Sequence, residues 1–397
     1  MSRRTRADVP PRLGHRPALD GVRAIAIAAV MGLHIQDRLV PGGFWGVDVF
    51  FVLSAFLITS LILEELDERQ GRYSFRAFYL RRALRLGPAL LLWLALIAAP
   101  TAAVLHEAAK IPIATLASLF YVGDFTVAAG GDIGASYTHI WSLAIEEQFY
   151  SVWPWIVVTY LFAWPARKQR TVLSAVLIAS IPLTYVSGHM LRGTYFLPTG
   201  HLVPLAAGAL ASILFMRGAG RVESLLRSSF VALPCLSTLA VAVFAFRPAT
   251  SVGALVVQPA VALATAVLLL HLCARPEGIA TRLMSSAPLV WLGRRSYGLY
   301  LYHRTLAILG SALLSGVANR FLAPAVLVVS LVIAELSFRF VERPINRIGR
   351  SWLRSRSAGR TRAAEFTLPV AGASLTDGLT MMRQASTIKE EKVYDLS

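Results

Sequence analysis

The sequence FWGVDVFFVLSAFLITSLILE, residues 44–64, indicates the fold class of this chain most clearly. Only Asp48 and the terminal Glu64 are ionisable within its twenty-one residues. A helix of that length rises about 30 Å, which is the thickness of the hydrocarbon core of a bilayer. The stretch therefore predicts a membrane-spanning helix.

The composition of the whole chain supports the same conclusion. Of its 397 residues 56% are hydrophobic and only 15% are charged, whereas about a quarter are charged in a soluble protein. The net charge of +17 could indicate binding to nucleic acid. The basic residues stand instead in short clusters between apolar stretches, which is typical of membrane topology. We therefore predict the lipid bilayer as a partner and no nucleic acid.

Apolar stretches recur along almost the whole chain, and the basic residues indicate their orientation. With the N-terminus inside, the arginine-rich loops all face the cytoplasm and the outer loops hold few basic residues. We predict an all-α, polytopic membrane helix bundle of about ten transmembrane helices, with the N- and C-termini cytoplasmic. The predicted spans are residues 21–39, 44–64, 84–105, 139–163, 171–187, 199–216, 230–246, 252–272, 294–315 and 322–342.

The segments outside these spans are predicted from length and composition. Segment 111–128 is apolar but short, and a full crossing there would reverse the side of the basic cluster at 167–170. We predict that it stays on the outer side. The remaining predicted regions are a cytoplasmic basic leader over 1–16, a membrane domain over 17–345 and a mostly disordered cytoplasmic tail over 346–397.

Ionisable side chains inside a span are costly and usually functional, and His34 is the first of them. It lies about 18 Å along the first span, past the midplane toward the outer side. Asp37 is three residues further on and would share its helical face. A histidine beside a carboxylate can act as a general base toward a hydroxyl. A buried neutral histidine that bonds the backbone is the alternative.

Asp48 is the second buried candidate, just inside the outer boundary of the second span. It could serve the same site as His34, or it could cap the start of a helix. Gly42, Gly43 and Gly46 surround it and predict a tight turn and close helix contact.

Arginines mark the cytoplasmic end of the third span, in the stretch FYLRRALRLGP at 78–88. Arg82 and Arg85 are three residues apart on one helical face, and Arg81 adjoins them. Guanidinium groups suit phosphate oxygens, so these arginines could bind a phosphate-bearing donor. Basic residues at this boundary could equally anchor the topology and attract anionic lipid.

The fourth span begins with HIWSLAIEEQFY at 139–150, which holds two adjacent glutamates. Ser142, Glu146 and Tyr150 share a face at intervals of four residues, so Glu146 is the better candidate to face a site. Trp141 lies beside them, and we predict that Trp141, Ser142 and Tyr150 contribute to binding of the substrate or donor. The alternative is a pair of glutamates solvated in the outer headgroup region.

The ninth span adds a second histidine in the stretch RSYGLYLYH at 295–303. His303 lies in the membrane interior, and Tyr297 precedes it on the same helix. We predict that both contribute to substrate binding, although neighbouring tyrosines could satisfy His303 structurally.

These stretches together resemble the acyltransferase-3 family of membrane O-acyltransferases. The resemblance also rests on LDGVRAIA at 19–26, GGFWGVDVFFVLSAFLIT at 42–59 and FVERP at 340–344, and it covers residues 17–345. It implies that His34 is essential, that Arg82 and Arg85 engage the donor and that Glu146 lies in the site. The chain departs from the family at Ala55, where a glycine is usual, and at His201, near a usual arginine.

The resemblance implies an enzyme of the bacterial cytoplasmic membrane that moves a short acyl group from acyl-CoA to a hydroxyl of a carbohydrate-containing acceptor. The acceptor could be a surface polysaccharide, a glycolipid or a macrolide-type antibiotic. We expect no permanently bound cofactor and no metal. A transporter or flippase, or a glycosyltransferase that uses a polyprenyl-phosphate sugar, are the alternatives.

Overall fold

The computed structural model describes residues 12–190, 194–218, 223–247, 252–314, 319–349 and 351. Within these ranges the chain is helical and no residue lies in a strand, so the all-α prediction is confirmed. The predicted tail over 346–397 lies almost wholly outside the described residues, as does most of the predicted leader. The helices are α1 Pro17–Ile35, α2 Trp45–Glu68, α3 Phe75–Leu105, α4 Ile111–Leu119, α5 Gly123–Ala128, α6 Trp141–Ile156, α7 Ala166–Met190, α8 Leu202–Arg217, α9 Glu223–Leu226, α10 Ala232–Ala245, α11 Gln258–Ala274, α12 Ile279–Met284, α13 Ala287–Arg294, α14 Ser296–Leu313 and α15 Asn319–Ser337.

Seven helical segments in the described part of the chain are long and apolar enough to cross a membrane. Each corresponds to one predicted span. The predicted spans 139–163, 230–246 and 294–315 are also helical, but they are shorter or more polar. A total of ten crossings therefore stays a prediction, and so does the orientation of the termini. The seven segments are Pro17–Ile35, Trp45–Glu68, Phe75–Leu105, Ala166–Val186, Pro198–Arg217, Gly253–Ala274 and Phe321–Gly349.

The apolar segment 111–128 folds as two short helices rather than one long one. Helix α4 has nine residues and α5 has six, so neither can reach across about 30 Å of hydrocarbon. Between them Tyr121 adopts a positive φ of 53°. The break lies immediately before Gly123 and Asp124, the residues that interrupt the apolar run and begin α5.

Close contact between α1, α2 and α8 forms the centre of the bundle. A Cβ atom at Gly46 of α2 would collide with the Ala26 carbonyl of α1, and a Cβ atom at Gly208 of α8 would collide with the Val52 carbonyl of α2. Such small residues let helix backbones approach within a membrane. Ala55, which replaces the usual family glycine, is fully buried at the same α2–α8 contact.

Candidate active site

A cavity of about 460 Å³ lies between α1, α2, α3, α6 and α14. Its volume is in the range of small-molecule sites, about 300–1,000 Å³. One end is formed by residues 13–23 with Arg85 and Arg294, on the predicted inner side. The walls continue along α6 and α14 to Ser142 and Tyr300.

Five arginines and three carboxylates line this cavity, so its charge is positive. Three of the arginines already have partners, and Arg82 is one of them. Arg294 lies 3.4 Å from a carboxylate oxygen of Asp20, and Arg16 donates to the carbonyls of Leu13 and Cys273 at 2.9 and 3.2 Å.

Arg23 and Arg85 differ from the other arginines of the cavity. Among the described residues, neither forms an ion pair with a carboxylate, and the Nε of Arg23 is buried without a hydrogen-bond partner. Both line the same space, and Arg23 is the foremost electrostatic neighbour of Arg85. Two like charges that face one cavity favour an anion between them.

The sequence prediction included Arg85 but missed Arg23. Arg23 stands near the predicted inner boundary of the first span, where a basic residue is typical of topology. Its position inside the motif LDGVRAIA, within an otherwise apolar segment, was the available signal.

Arg82 is engaged by protein side chains. Its Nε lies 2.9 Å from both carboxylate oxygens of Glu147, and its Nη2 lies 2.6 Å from Oε1. The guanidinium carbon also lies 3.2 Å from the centre of the Tyr150 ring. Arg82 lines the cavity, but it differs from Arg85 in having a bidentate carboxylate partner.

Glu146 faces the cavity as the spacing of α6 predicted. It accepts hydrogen bonds from Ser54 Oγ and Tyr150 Oη, each at 2.5 Å. Ser142, Glu146 and Tyr150 all line the wall at intervals of four residues. Glu147, which the spacing argument set aside, turns about 100° away toward α3 and binds Arg82.

Tyr300 closes the far end of the cavity. Its hydroxyl donates to the backbone carbonyl of His139, and Ser142 Oγ lies 2.5 Å from the same hydroxyl. Because the Tyr300 proton is committed to a carbonyl, Ser142 donates to Tyr300. Tyr297, one turn earlier, also lines the cavity and donates to the Leu86 carbonyl at 3.2 Å. The sequence prediction included Tyr297 and missed Tyr300.

His34 lies beyond Tyr300, outside the cavity wall. Its Nδ1 is 3.0 Å from Nε2 of His303. The ring of His303 is in turn 5.8 Å from that of Tyr300. His303 is fully buried, whereas His34 is partly exposed. The two histidines predicted from separate spans therefore meet directly.

The predicted pairing of His34 with a carboxylate is not what the structure shows. Helix α1 ends at Ile35, so Asp37 lies in the following turn and does not share a helical face with His34. The Asp37 side chain is 62% exposed and lies 3.9 Å from Arg247. Glu146 bonds Ser54 and Tyr150 instead, and the partner of the His34 ring is His303.

Asp48 lies in a second buried polar cluster, separate from the cavity wall. Its Oδ1 lies 3.1 Å from Nδ1 of His201 and 3.0 Å from Nε2 of Gln258. Trp141 stacks on His201 with ring centres 5.2 Å apart. The predicted residues Asp48 and Trp141 therefore both contact His201. Neither of them lines the cavity.

Arg81 faces away from the cavity. It lies 3.2 Å from Glu65, and its side chain is 44% exposed. Of the three arginines predicted to bind the donor, Arg82 and Arg85 line the cavity and Arg81 does not.

Comparison with known proteins places the chain among acyl-transferring enzymes. A family model described as an acyltransferase domain matches residues 16–338. The chain is 30% identical over 356 residues to the peptidoglycan O-acetyltransferase OatA of Listeria monocytogenes. The aligned region covers 84% of this chain and 56% of that protein. It is 31% identical to the putative peptidoglycan O-acetyltransferase YrhL of Bacillus subtilis, with 84% and 55% covered.

A putative O-acetyltransferase of Staphylococcus aureus strain MRSA252 is 29% identical, with 87% of this chain and 60% of that protein covered. The chain thus spans between a half and two thirds of the length of these relatives. No solved structure matches the chain.

Proposed function

The chain belongs to the acyltransferase 3 family, and from that membership we propose that it is a multi-pass O-acyltransferase of the bacterial cytoplasmic membrane. It transfers a group other than an amino-acyl group. The donor is a short-chain acyl-CoA, and the acceptor is a hydroxyl of a carbohydrate-containing molecule. The observation that carries the proposal is a single cavity lined by Arg23, Arg85 and Tyr300, two arginines without a carboxylate partner among the described residues and a tyrosine whose ring lies 5.8 Å from His303. His303 is in turn the partner of His34.

The donor site is proposed at the basic end of the cavity. Coenzyme A carries a diphosphate and a further phosphate, and guanidinium groups bind phosphate oxygens with strong, charge-assisted hydrogen bonds. Arg23 and Arg85 supply two such groups without a carboxylate partner in the described structure. The pantetheine arm of the donor would extend between α2 and α6 toward Tyr300.

The reaction is proposed at His34. The acceptor O–H gives its proton to His34, the oxygen forms a bond to the thioester carbonyl carbon, and the C–S bond breaks. The proton on His34 then passes to the leaving CoA thiolate, so the enzyme returns to its starting state. Tyr300 lines the cavity and contacts His303, whereas His34 does not line it, so the proposal requires the Tyr300 side chain to move for the acyl group to reach His34.

The acceptor is proposed from the relatives and from the chemistry. OatA of Listeria monocytogenes and YrhL of Bacillus subtilis are named for O-acetylation of peptidoglycan. A cell-wall glycan is therefore the first acceptor to test. Glycolipids and glycosylated antibiotics offer the same hydroxyl chemistry.

The proposal is tested with radiolabelled acetyl-CoA and membranes that contain this chain, with peptidoglycan fragments as acceptors. We expect label in a base-labile ester only with the native chain and not with His34→Ala. Equal labelling by both would remove His34 from the mechanism. If no acyl-CoA supports transfer to any of these acceptors, the transporter and glycosyltransferase alternatives would return.

A further inference from the structure

The hydrogen bonds of His303 determine which of its nitrogens carries the proton. Its Nδ1 lies 2.9 Å from the Leu299 carbonyl and 2.8 Å from the Tyr300 carbonyl. Carbonyl oxygens only accept, so Nδ1 must carry hydrogen. Nε2 is then an acceptor if the ring is neutral.

The surroundings of His303 favour the neutral ring. It is fully buried, and no carboxylate among the described residues forms an ion pair with it. Arg304, a positive charge, is its next neighbour along the chain. A buried imidazolium without a counter-charge would be costly.

The state of His303 then determines the state of His34. Because Nε2 of His303 accepts, Nδ1 of His34, at 3.0 Å, must donate. A neutral His34 with hydrogen on Nδ1 has its lone pair on Nε2. That nitrogen is the basic one, at the partly exposed side chain.

We infer that His303 is a positioning residue, which holds His34 in the Nδ1–H tautomer and presents Nε2 to the acceptor hydroxyl. This inference rests on the proposed function of His34 as the base. His303 takes the place that the sequence analysis gave to Asp37. It differs from a carboxylate in that it orients the ring without adding a negative charge.

Two substitutions of similar polarity separate this role from simple packing. In His303→Gln an amide oxygen can reach the position of Nε2 and accept from His34. In His303→Asn the shorter side chain reaches only the position of Nδ1. We expect kcat of His303→Gln to stay within about tenfold of the native value and kcat of His303→Asn to fall about 100-fold or more, with the KM for acetyl-CoA unchanged in both.

If the native chain transfers acyl groups in the assay, two results would overturn the inference. One is native-like kcat in His303→Asn. The other is an equal loss of kcat in His303→Gln and His303→Asn, provided that both variants are monodisperse and keep the native KM for acetyl-CoA. An acceptor at the Nε2 position would then make no difference to the rate.

A measurement on the native chain decides the case if the variants misfold or the native chain transfers no acyl group. In protein labelled with ¹⁵N-histidine, the His34 signal is identified by its loss in His34→Ala. At a pH high enough for the His34 ring to be neutral, the inference requires a hydrogen on Nδ1 and none on Nε2. Hydrogen on Nε2 would overturn it, whether or not the acyltransferase assay succeeds.

Discussion

At the scale of single residues, the partners of Arg82 and Arg85 separate two roles that look identical in the sequence. Both arginines lie on one face of α3 and both line the cavity. Arg82 is held by Glu147 and Tyr150, whereas Arg85 faces Arg23. The first arginine joins α3 to α6, and the second has no carboxylate partner among the described residues, which is what the proposed donor site requires.

Loss of Arg85 should therefore weaken donor binding without unfolding the protein. We expect Arg85→Ala to raise the KM for acetyl-CoA about 10- to 100-fold, because a charge-assisted hydrogen bond contributes about 1.5–3 kcal/mol. Arg81→Ala is the matched control, since Arg81 faces away and pairs with Glu65. An equal rise in KM for both variants would contradict this assignment.

Loss of Arg82 should instead destabilise the bundle. In Arg82→Ala the carboxylate of Glu147, whose side chain is only 13% exposed, would lose its partner, at a cost of up to about 3–5 kcal/mol. We expect a lower midpoint of thermal unfolding in detergent for this variant. The double variant Arg82→Met with Glu147→Gln should recover most of the loss. A double variant that is no more stable than Arg82→Ala would show that the pair is not the cause.

At the scale of helices, the faces of α6 and the break after α1 show what the sequence can and cannot predict. The common face of Ser142, Glu146 and Tyr150 was predictable because it depends only on the helical period. The bond from Glu147 to Arg82 was not, because it depends on how α3 packs against α6.

The position of Asp37 was mispredicted for a related reason. No glycine or proline stands between His34 and Pro41 to end the helix, so the apolar span seemed to run on to residue 39. The turn is instead fixed by tertiary contact. The Gly42 N–H donates to the Val243 carbonyl of α10 at 2.8 Å.

Helix contact at Gly208 makes a prediction at this scale. Gly208→Ala should destabilise the bundle by about 1–3 kcal/mol, because its Cβ would collide with the Val52 carbonyl of α2. Gly87→Ala in α3 is the control, since nothing lies within 4 Å of a Cβ there. Thermal unfolding in detergent should show a lower midpoint for Gly208→Ala alone, and an unchanged midpoint would contradict the close contact.

At the scale of the whole molecule, the two ends of the site are distinct in chemistry. Arg23 and Arg85 face a positively charged cavity, and His34 and His303 lie beyond Tyr300. The apolar pattern was enough to predict an all-α membrane bundle, because hydrocarbon admits few other structures. The contact of His34 with His303 was not predictable, because these two residues are 269 positions apart in sequence.

A transfer assay in oriented vesicles tests whether the donor enters from the predicted inner face, as the claim of a donor site at Arg23 and Arg85 requires. Acetyl-CoA does not cross a bilayer, so it can be supplied to one face of sealed vesicles while the acceptor is present on both. We predict transfer in inside-out vesicles, where the donor reaches the predicted inner face and the cavity with Arg23 and Arg85, and none in right-side-out vesicles. Transfer only in right-side-out vesicles would contradict the claim, because the donor would then enter from the side of His34.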